Sequence, residues 1–242
     1  MELPGLDRFL AHDESFRAAC AQIEQKTEFH AATNAEIPLP EANCVLRVRQ
    51  PEARVAQFLK LAASRDLAVV VDPGTLPEDL PARLVQAGFA SRGREVLAVL
   101  DPAALVEPPG ATPRFTAVGP SELPRFTELA ARGAAGDAVK RLWFFRLRNL
   151  LFSAYLAQDE YGAPGAFGLF HAGNMARVLG PFPAPSQTDF TLACKLVKRA
   201  WERAREKGAE LLYTFASGAE AAGLRSLGFT LQERVWLETF AR

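Results

Sequence analysis

The sequence predicts an α/β protein in which a mixed central sheet is flanked by helices. Segments with the apolar spacing of a helix alternate with short apolar runs that are typical of strands. The chain has 242 residues, enough for one large domain or for two domains of roughly 100–130 residues. A pattern of strand, turn, helix, Gly-Phe and strand also occurs twice, with Leu84 and Leu224 at equivalent positions 140 residues apart. Together these observations favour two copies of one α/β unit.

The first half of the chain predicts three helices and three strands. Phe16, Ala19, Cys20 and Ile23 follow helical spacing after Asp13, which can cap the helix. The predicted elements are a helix over 13–30, a strand over 43–48, a helix over 52–64, a strand over 67–71, a helix over 77–87 and a strand over 95–100.

A proline-rich segment over 101–113 is the best linker candidate, so we expect one domain at 1–105 and another at 114–242. The second domain is predicted to contain more elements than the first. They are helices over 121–132 and 137–152, a hairpin of strands 154–158 and 165–171, a strand over 174–182, a helix over 191–207, a strand over 210–216, a helix over 220–227 and a strand over 230–240.

Composition limits the classes of function. The chain has 28 basic and 28 acidic residues, and this zero net charge argues against nucleic acid or an anionic membrane as a partner. Three cysteines without a C-x-x-C motif and three histidines without a ligand pair predict neither a disulfide framework nor a metal site. The sequence shows neither a signal peptide nor an apolar run of membrane-spanning length. We therefore expect a cytoplasmic protein.

The order of elements in the second half, with Leu-Gly-Phe229 before the last strand, resembles the GNAT superfamily of acyl-CoA-dependent N-acetyltransferases. The resemblance covers about residues 114–241, and the first half resembles a shortened copy over about 40–100. It implies two GNAT-like acyltransferase domains, of which the first is degenerate.

The resemblance also implies acetyl-CoA as a co-substrate. In that superfamily a loop of pattern Q/R-x-x-G-x-G/A holds the CoA pyrophosphate through its backbone N–H groups, at the start of a helix. Thr188, Thr191 and Ala193 occupy the three defined positions here, so a threonine replaces the first glycine, and Asp189 adds a repulsive charge. The implied cofactor-binding residues are Gly180, Phe182, Thr188, Asp189, Phe190, Thr191, Leu192, Ala193 and Leu224.

The catalytic groups are less defined. Leu224 stands where the superfamily has the tyrosine that protonates the departing CoA thiolate, so Tyr213 or Ser217 would have to replace it. Glu160 in the predicted hairpin turn and His171 at a strand end are candidate bases for the acceptor amine. Each has a structural alternative: Tyr213 as a core residue, Glu160 as part of a solvated turn and His171 as a satisfied histidine.

The helix over 191–207 carries a row of basic side chains, which either form a solvated surface or steer an anionic ligand such as CoA. They are Lys195, Lys198, Arg199, Arg203, Arg205 and Lys207.

Two main hypotheses of function follow. The first is an N-acetyltransferase acting on a small-molecule amine. The alternative is a catalytically inactive GNAT-like module that binds a small molecule or a protein partner. A third, weaker hypothesis is a mainly structural dimer, so both a monomer and a homodimer stay open.

Overall fold

The computed structural model describes residues 4–131, 136–182 and 190–242. The chain forms two compact units: the first comprises Met1–Val96 with Glu233–Arg242, and the second comprises Leu97–Gln232. The chain leaves the first unit within strand β5 (Ala90–Leu100) and returns to it within strand β11 (Phe229–Ala241). Among the described residues, every helix falls short of the length and apolar character needed to cross a membrane.

In the first unit the strand order is β1-β2-β3-β4-β11. Strands β3 and β4 are parallel, and the other neighbours are antiparallel. Besides parts of β5 and β11, the elements are α1 (Leu6–Ala18), β1 (Gln22–Gln25), β2 (His30–Thr33), β3 (Cys44–Leu46), α2 (Val55–Ser64), β4 (Ala68–Val71) and α3 (Leu80–Gln86).

The helix predicted over 13–30 is wrong. Helix α1 begins earlier, at Leu6, and ends at Ala18, while residues 22–33 form the hairpin of β1 and β2. Asp13 is not a cap: it lies inside α1 with 2% exposure and accepts a 2.8 Å hydrogen bond from Arg17. Strands of four residues are too short to show a clear alternation of apolar and polar residues, so helical spacing dominated the pattern.

In the second unit the strand order is β5-β10-β9-β8-β7-β6. The pairs β6–β7, β7–β8 and β8–β9 are antiparallel, and the pair β9–β10 is parallel. The elements are β6 (Arg114–Ala117), α4 (Leu123–Ala130), α5 (Asp137–Arg148), β7 (Phe152–Gln158), β8 (Pro164–Ala172), β9 (Met175–Phe182), α6 (Phe190–Glu206), β10 (Leu211–Ser217) and α7 (Gly218–Ser226). The mixed sheet flanked by helices is thus present, and β6 is a strand that the sequence pattern missed.

The sheet of the second unit is covered on both faces. One face packs against the apolar stripe of α6, in which Leu192, Leu196 and Ala200 are at most 2% exposed. On the other face the Trp143 ring lies 4.6 Å from the ring of Phe126, centroid to centroid. A Cβ on Gly168 would lie 3.0 Å from the Trp143 ring, so the close packing of α5 on β8 requires glycine there.

The two copies of the repeat adopt the same local structure. Helix α3 leads through Gly88 and Phe89 into β5, and α7 leads through Gly228 and Phe229 into β11. Both glycines have positive φ, 85° and 92°, which ends the helix in a conformation that only glycine adopts readily. Both phenylalanines are 3% exposed and anchor the start of the strand.

Candidate functional site

The parallel strands β9 and β10 separate partway along their length. Met175 to Arg177 pair with Leu211 to Tyr213, and no further pairing joins the two strands in the described ranges. Strand β9 nevertheless continues to Phe182 and β10 to Ser217. We call the gap between residues 178–182 and 214–217 the second-unit opening. Crevices at the carboxyl ends of parallel strands are the usual ligand sites of α/β sheets.

An irregularity in β9 shapes one side of this opening. Leu179 pairs with Gly168 and Phe182 with Ala166, so β9 has one residue more than β8 over this stretch. Gly180 has φ of 104°, and a Cβ there would come within 3.0 Å of the backbone nitrogen of Phe182. A glycine is therefore required where the backbone of β9 turns beside the opening.

Two helices begin at the same edge of the sheet. Helix α6 connects the parallel strands β9 and β10, so it runs antiparallel to them and starts at their carboxyl ends. Helix α7 begins at Gly218, directly after β10. The dipole at the start of α6 favours an anionic ligand such as a phosphate group. The start of α7 is already capped by the side chains of Ser217 and Glu220.

The predicted loop residues fall in different environments. Thr188 and Asp189 lie outside the described residues. Phe190 is 45% exposed at the start of α6 and Thr191 is half-buried, so both can face a ligand. The side chains of Leu192 and Ala193 are 2% and 0% exposed and belong to the core. Their side chains are therefore out of reach of a phosphate.

The positions considered for the proton donor also differ in their access to the opening. Leu224 is 4% exposed in α7 and packs in the same apolar cluster as Leu227. Tyr213 is fully buried in the paired part of β10, with its ring 5.9 Å from that of Phe215. Ser217 lies at the end of β10 beside the opening, and its hydroxyl donates a 3.0 Å hydrogen bond to the carboxylate of Glu220. Of the predicted hydroxyl groups, Ser217 is the best placed.

The two candidate bases lie at opposite edges of the sheet. Glu160 is exposed in the turn between β7 and β8, at the edge where β9 ends. The neighbouring Asp159 accepts hydrogen bonds from the backbone N–H groups of Tyr161 and Ala163, so it stabilises the turn. His171 lies at the other edge, beside the paired part of β9, which keeps it away from the opening.

The environment of His171 is basic. Burial and the charge of Lys207 lower the pKa of His171, and burial and Arg203 lower the pKa of Lys207. The Nε2 atom of His171 is buried without a hydrogen-bond partner in the part of the chain that is described. In those ranges the side chains of His, Cys, Asp and Glu form no group of three that could hold a metal ion.

Two basic side chains of α6 contact the segment before β6 in the second unit. Lys195 donates a 2.7 Å hydrogen bond to the carbonyl of Ala111, and Lys198 forms an ion pair with Glu107. This contact raises the pKa of Lys198 and lowers that of Glu107. Residues 107–115 and α6 enclose a cavity of about 420 Å³. The sequence pattern did not reveal this contact, because it joins residues far apart in the chain.

No protein-family model matches the sequence, and a search of curated proteins gave no match. Solved structures do match the fold. A GCN5-related N-acetyltransferase from Kribbella flavida has a TM-score of 0.69 at 17% identity, covering 99% of this chain and 96% of its own. A conserved protein of unknown function from Staphylococcus epidermidis has a TM-score of 0.65 at 14% identity, covering 91% and 93%.

A tandem GNAT protein from the clavulanic acid biosynthesis pathway has a TM-score of 0.55 at 19% identity, covering 81% of this chain and 72% of its own. At these identities the likeness concerns the fold. The chain therefore has the fold of the GNAT N-acetyltransferases, including one that carries two such domains.

Proposed function

Starting from the GNAT fold, we propose that this protein is an acyltransferase that transfers an acetyl group from acetyl-CoA to an amine. The observation that carries the proposal is the second-unit opening, where β9 and β10 separate after Arg177 and Tyr213. The start of α6 and the start of α7 lie at the same edge. Similar structures are described as N-acetyltransferases, which supports the reaction class.

The residues present fit a CoA ester in part. Acetyl-CoA, when bound, supplies an activated acyl thioester. The dipole and the N–H groups in the first turn of α6 would stabilise its phosphates. Leu192 and Ala193 would contribute through their backbone alone.

We propose Ser217 as the side chain that donates a hydrogen bond to the departing sulfur. It lies beside the opening, and its single hydroxyl proton, which it donates to Glu220 in the free protein, would turn to the sulfur when the ligand is bound. Ser217→Ala should lower kcat about tenfold or more while leaving acetyl-CoA binding nearly unchanged. Ser226→Ala, at the exposed far end of α7, is the matched control. Equal kcat values for wild type and Ser217→Ala would remove Ser217 from this role.

A second candidate function is an inactive module that binds CoA or another ligand without turnover. Leu224 at the usual tyrosine position is the observation that favours it, because its buried side chain has no hydroxyl. Tyr213 is no simple replacement, since it is fully buried.

Thermal unfolding with acetyl-CoA distinguishes these candidates from the absence of a CoA site. Ligand at 100 times its Kd should raise Tm by about 5 °C or more. Phe190→Glu places a carboxylate at the start of α6, where it repels phosphates, and should abolish most of this shift. Phe144→Glu changes a phenylalanine of similar exposure on α5, 47% against 45%, and should preserve it.

Release of CoA thiol with a panel of amines then tests turnover. A Tm shift with thiol release supports the transferase, and a Tm shift without release supports the inactive module. No Tm shift at millimolar acetyl-CoA would contradict the transferase and favour a module that binds a different ligand.

A further inference from the structure

The first unit contains a pocket that is separate from the proposed acetyl-CoA site. It measures about 390 Å³, a size typical of sites for small ligands. The turn between β1 and β2, Gln50 after β3 and one face of α2 form its walls. None of these elements belongs to the second unit, so the pocket stands independently of the proposed transferase function.

The floor of this pocket is aromatic. Phe29 and Phe58 are 7% and 3% exposed, and their ring centroids lie 5.6 Å apart at an angle of 56°. Leu61 follows Phe58 by three residues on α2 and therefore lies on the same helix face. A flat apolar ligand can pack against these groups with little rearrangement of the chain.

Gln50 supplies a polar group to the pocket. The residue is 6% exposed, and its backbone N–H donates a 3.0 Å hydrogen bond to the carbonyl of Leu76, which holds it in place. Its side-chain amide forms no hydrogen bond with any other described residue. Because the amide stays accessible in the pocket, a ligand with a polar group can form a hydrogen bond with it.

The charges around the pocket favour an anion. Lys26, Arg54 and Lys60 line the pocket together with Glu28, and Lys26 is paired with Glu24 outside it. Glu28 is already paired with Arg54. Lys60 is exposed and forms no ion pair within the described ranges, so its ammonium group is available.

We propose that this pocket binds a small aromatic carboxylate, whose ring packs on Phe29 and Phe58 and whose carboxylate pairs with Lys60. The Gln50 amide donates to, or accepts from, a polar group of the ligand. An aromatic anion matches the apolar floor and the positive rim at once, whereas an aliphatic cation matches neither.

The test uses the full chain and 2-naphthoate as the probe, with binding followed by calorimetry. Saturable binding with one site per chain is expected at submillimolar to millimolar concentration. The uncharged 2-naphthamide should bind about tenfold more weakly, because it lacks the charge that Lys60 pairs with. Lys60→Gln should weaken naphthoate binding by a similar factor. Lys140→Gln, an equal charge change on α5 in the second unit, should leave it unchanged.

Gln50→Leu separates a binding role from a structural one. Because leucine has a similar size but lacks the amide, it should weaken naphthoate binding and leave Tm nearly unchanged. A lower Tm together with unchanged affinity would show that Gln50 is structural and would overturn the proposal. Absence of saturable binding at millimolar naphthoate would overturn it too. Binding that ignores both Lys60→Gln and Gln50→Leu would place the probe elsewhere on the protein, with the same consequence.

Discussion

The space beyond the parallel strands is filled by the chain itself in the first unit and left open in the second. In the first unit, Arg49 forms a parallel bridge with Leu76, and Leu76 donates a backbone hydrogen bond to Val48. The turn after β4 thus fills the space beyond β3 and β4, which we call the first-unit opening. In the second unit, the equivalent strands β9 and β10 have no such bridge beyond Arg177 and Tyr213 in the described ranges.

An ion pair secures the filled opening. The side chain of Asp72 is 2% exposed. Its carboxylate accepts a 3.1 Å hydrogen bond from the Arg49 guanidinium and a 2.8 Å hydrogen bond from the backbone N–H of Gly74. The Thr75 hydroxyl accepts a hydrogen bond from the N–H of Asp72. The same arrangement of strand and helix can therefore hold a turn of its own chain in one unit and leave room for a ligand in the other.

The largest expected effect comes from breaking the filled opening. Asp72→Ala removes a buried carboxylate that pairs with Arg49 and holds the turn, and should destabilise the protein by about 3 kcal/mol. Asp79→Ala is the matched control, because Asp79 is 57% exposed and pairs with Arg83 on the surface. Its effect should be barely measurable. Urea unfolding gives both values, and equal losses of stability would mean that the turn does not hold the first unit together.

A smaller effect should distinguish the two Gly-Phe turns. Gly88→Ala places a side chain at positive φ with nothing within 4 Å, and should cost about 1 kcal/mol. Gly228→Ala adds a contact of 3.1 Å to the carbonyl oxygen of Ala104, and should cost about 2 kcal/mol or more. Thermal unfolding of both variants measures the difference. A larger loss for Gly88→Ala would contradict the close approach of residue 104 to this turn.

The smallest expected effect concerns the closed end of the β9 and β10 pair, where His171 lies. The pKa of His171 is lowered in the folded protein by burial and by Lys207, so the unfolded state binds its proton more tightly. Stability should therefore fall as pH drops through the unfolded value of about 6.5. Unfolding at pH 8 and pH 5 should show a smaller loss for His171→Gln than for the wild type. An identical loss in both proteins would exclude His171 as a source of acid sensitivity.

Apolar patterning predicted most of the fold. Continuous apolar runs such as residues 67–71, helical stripes such as that of α6 and the Gly-Phe repeat were readable, because burial on one face imposes a period on the sequence. The hairpin over 22–33 and strand β6 were not, since strands of four residues carry too few positions to define a period.

The candidate site was less predictable than the fold. The loop pattern pointed to Leu192 and Ala193, but their side chains lie on the buried side of α6, which depends on the exact residue where the helix begins. The bridge between Arg49 and Leu76 and the contact of Glu107 with Lys198 depend on tertiary packing. No local sequence pattern encodes such pairs.

Hydrogen exchange with and without acetyl-CoA tests the central claim most directly. We expect acetyl-CoA to protect the backbone N–H groups within residues 178–182, 190–194 and 214–220, around the second-unit opening. Residues 47–55 and 72–79, around the filled first-unit opening, should exchange at unchanged rates. Protection confined to the first unit, or no protection in either unit at saturating acetyl-CoA, would contradict the account.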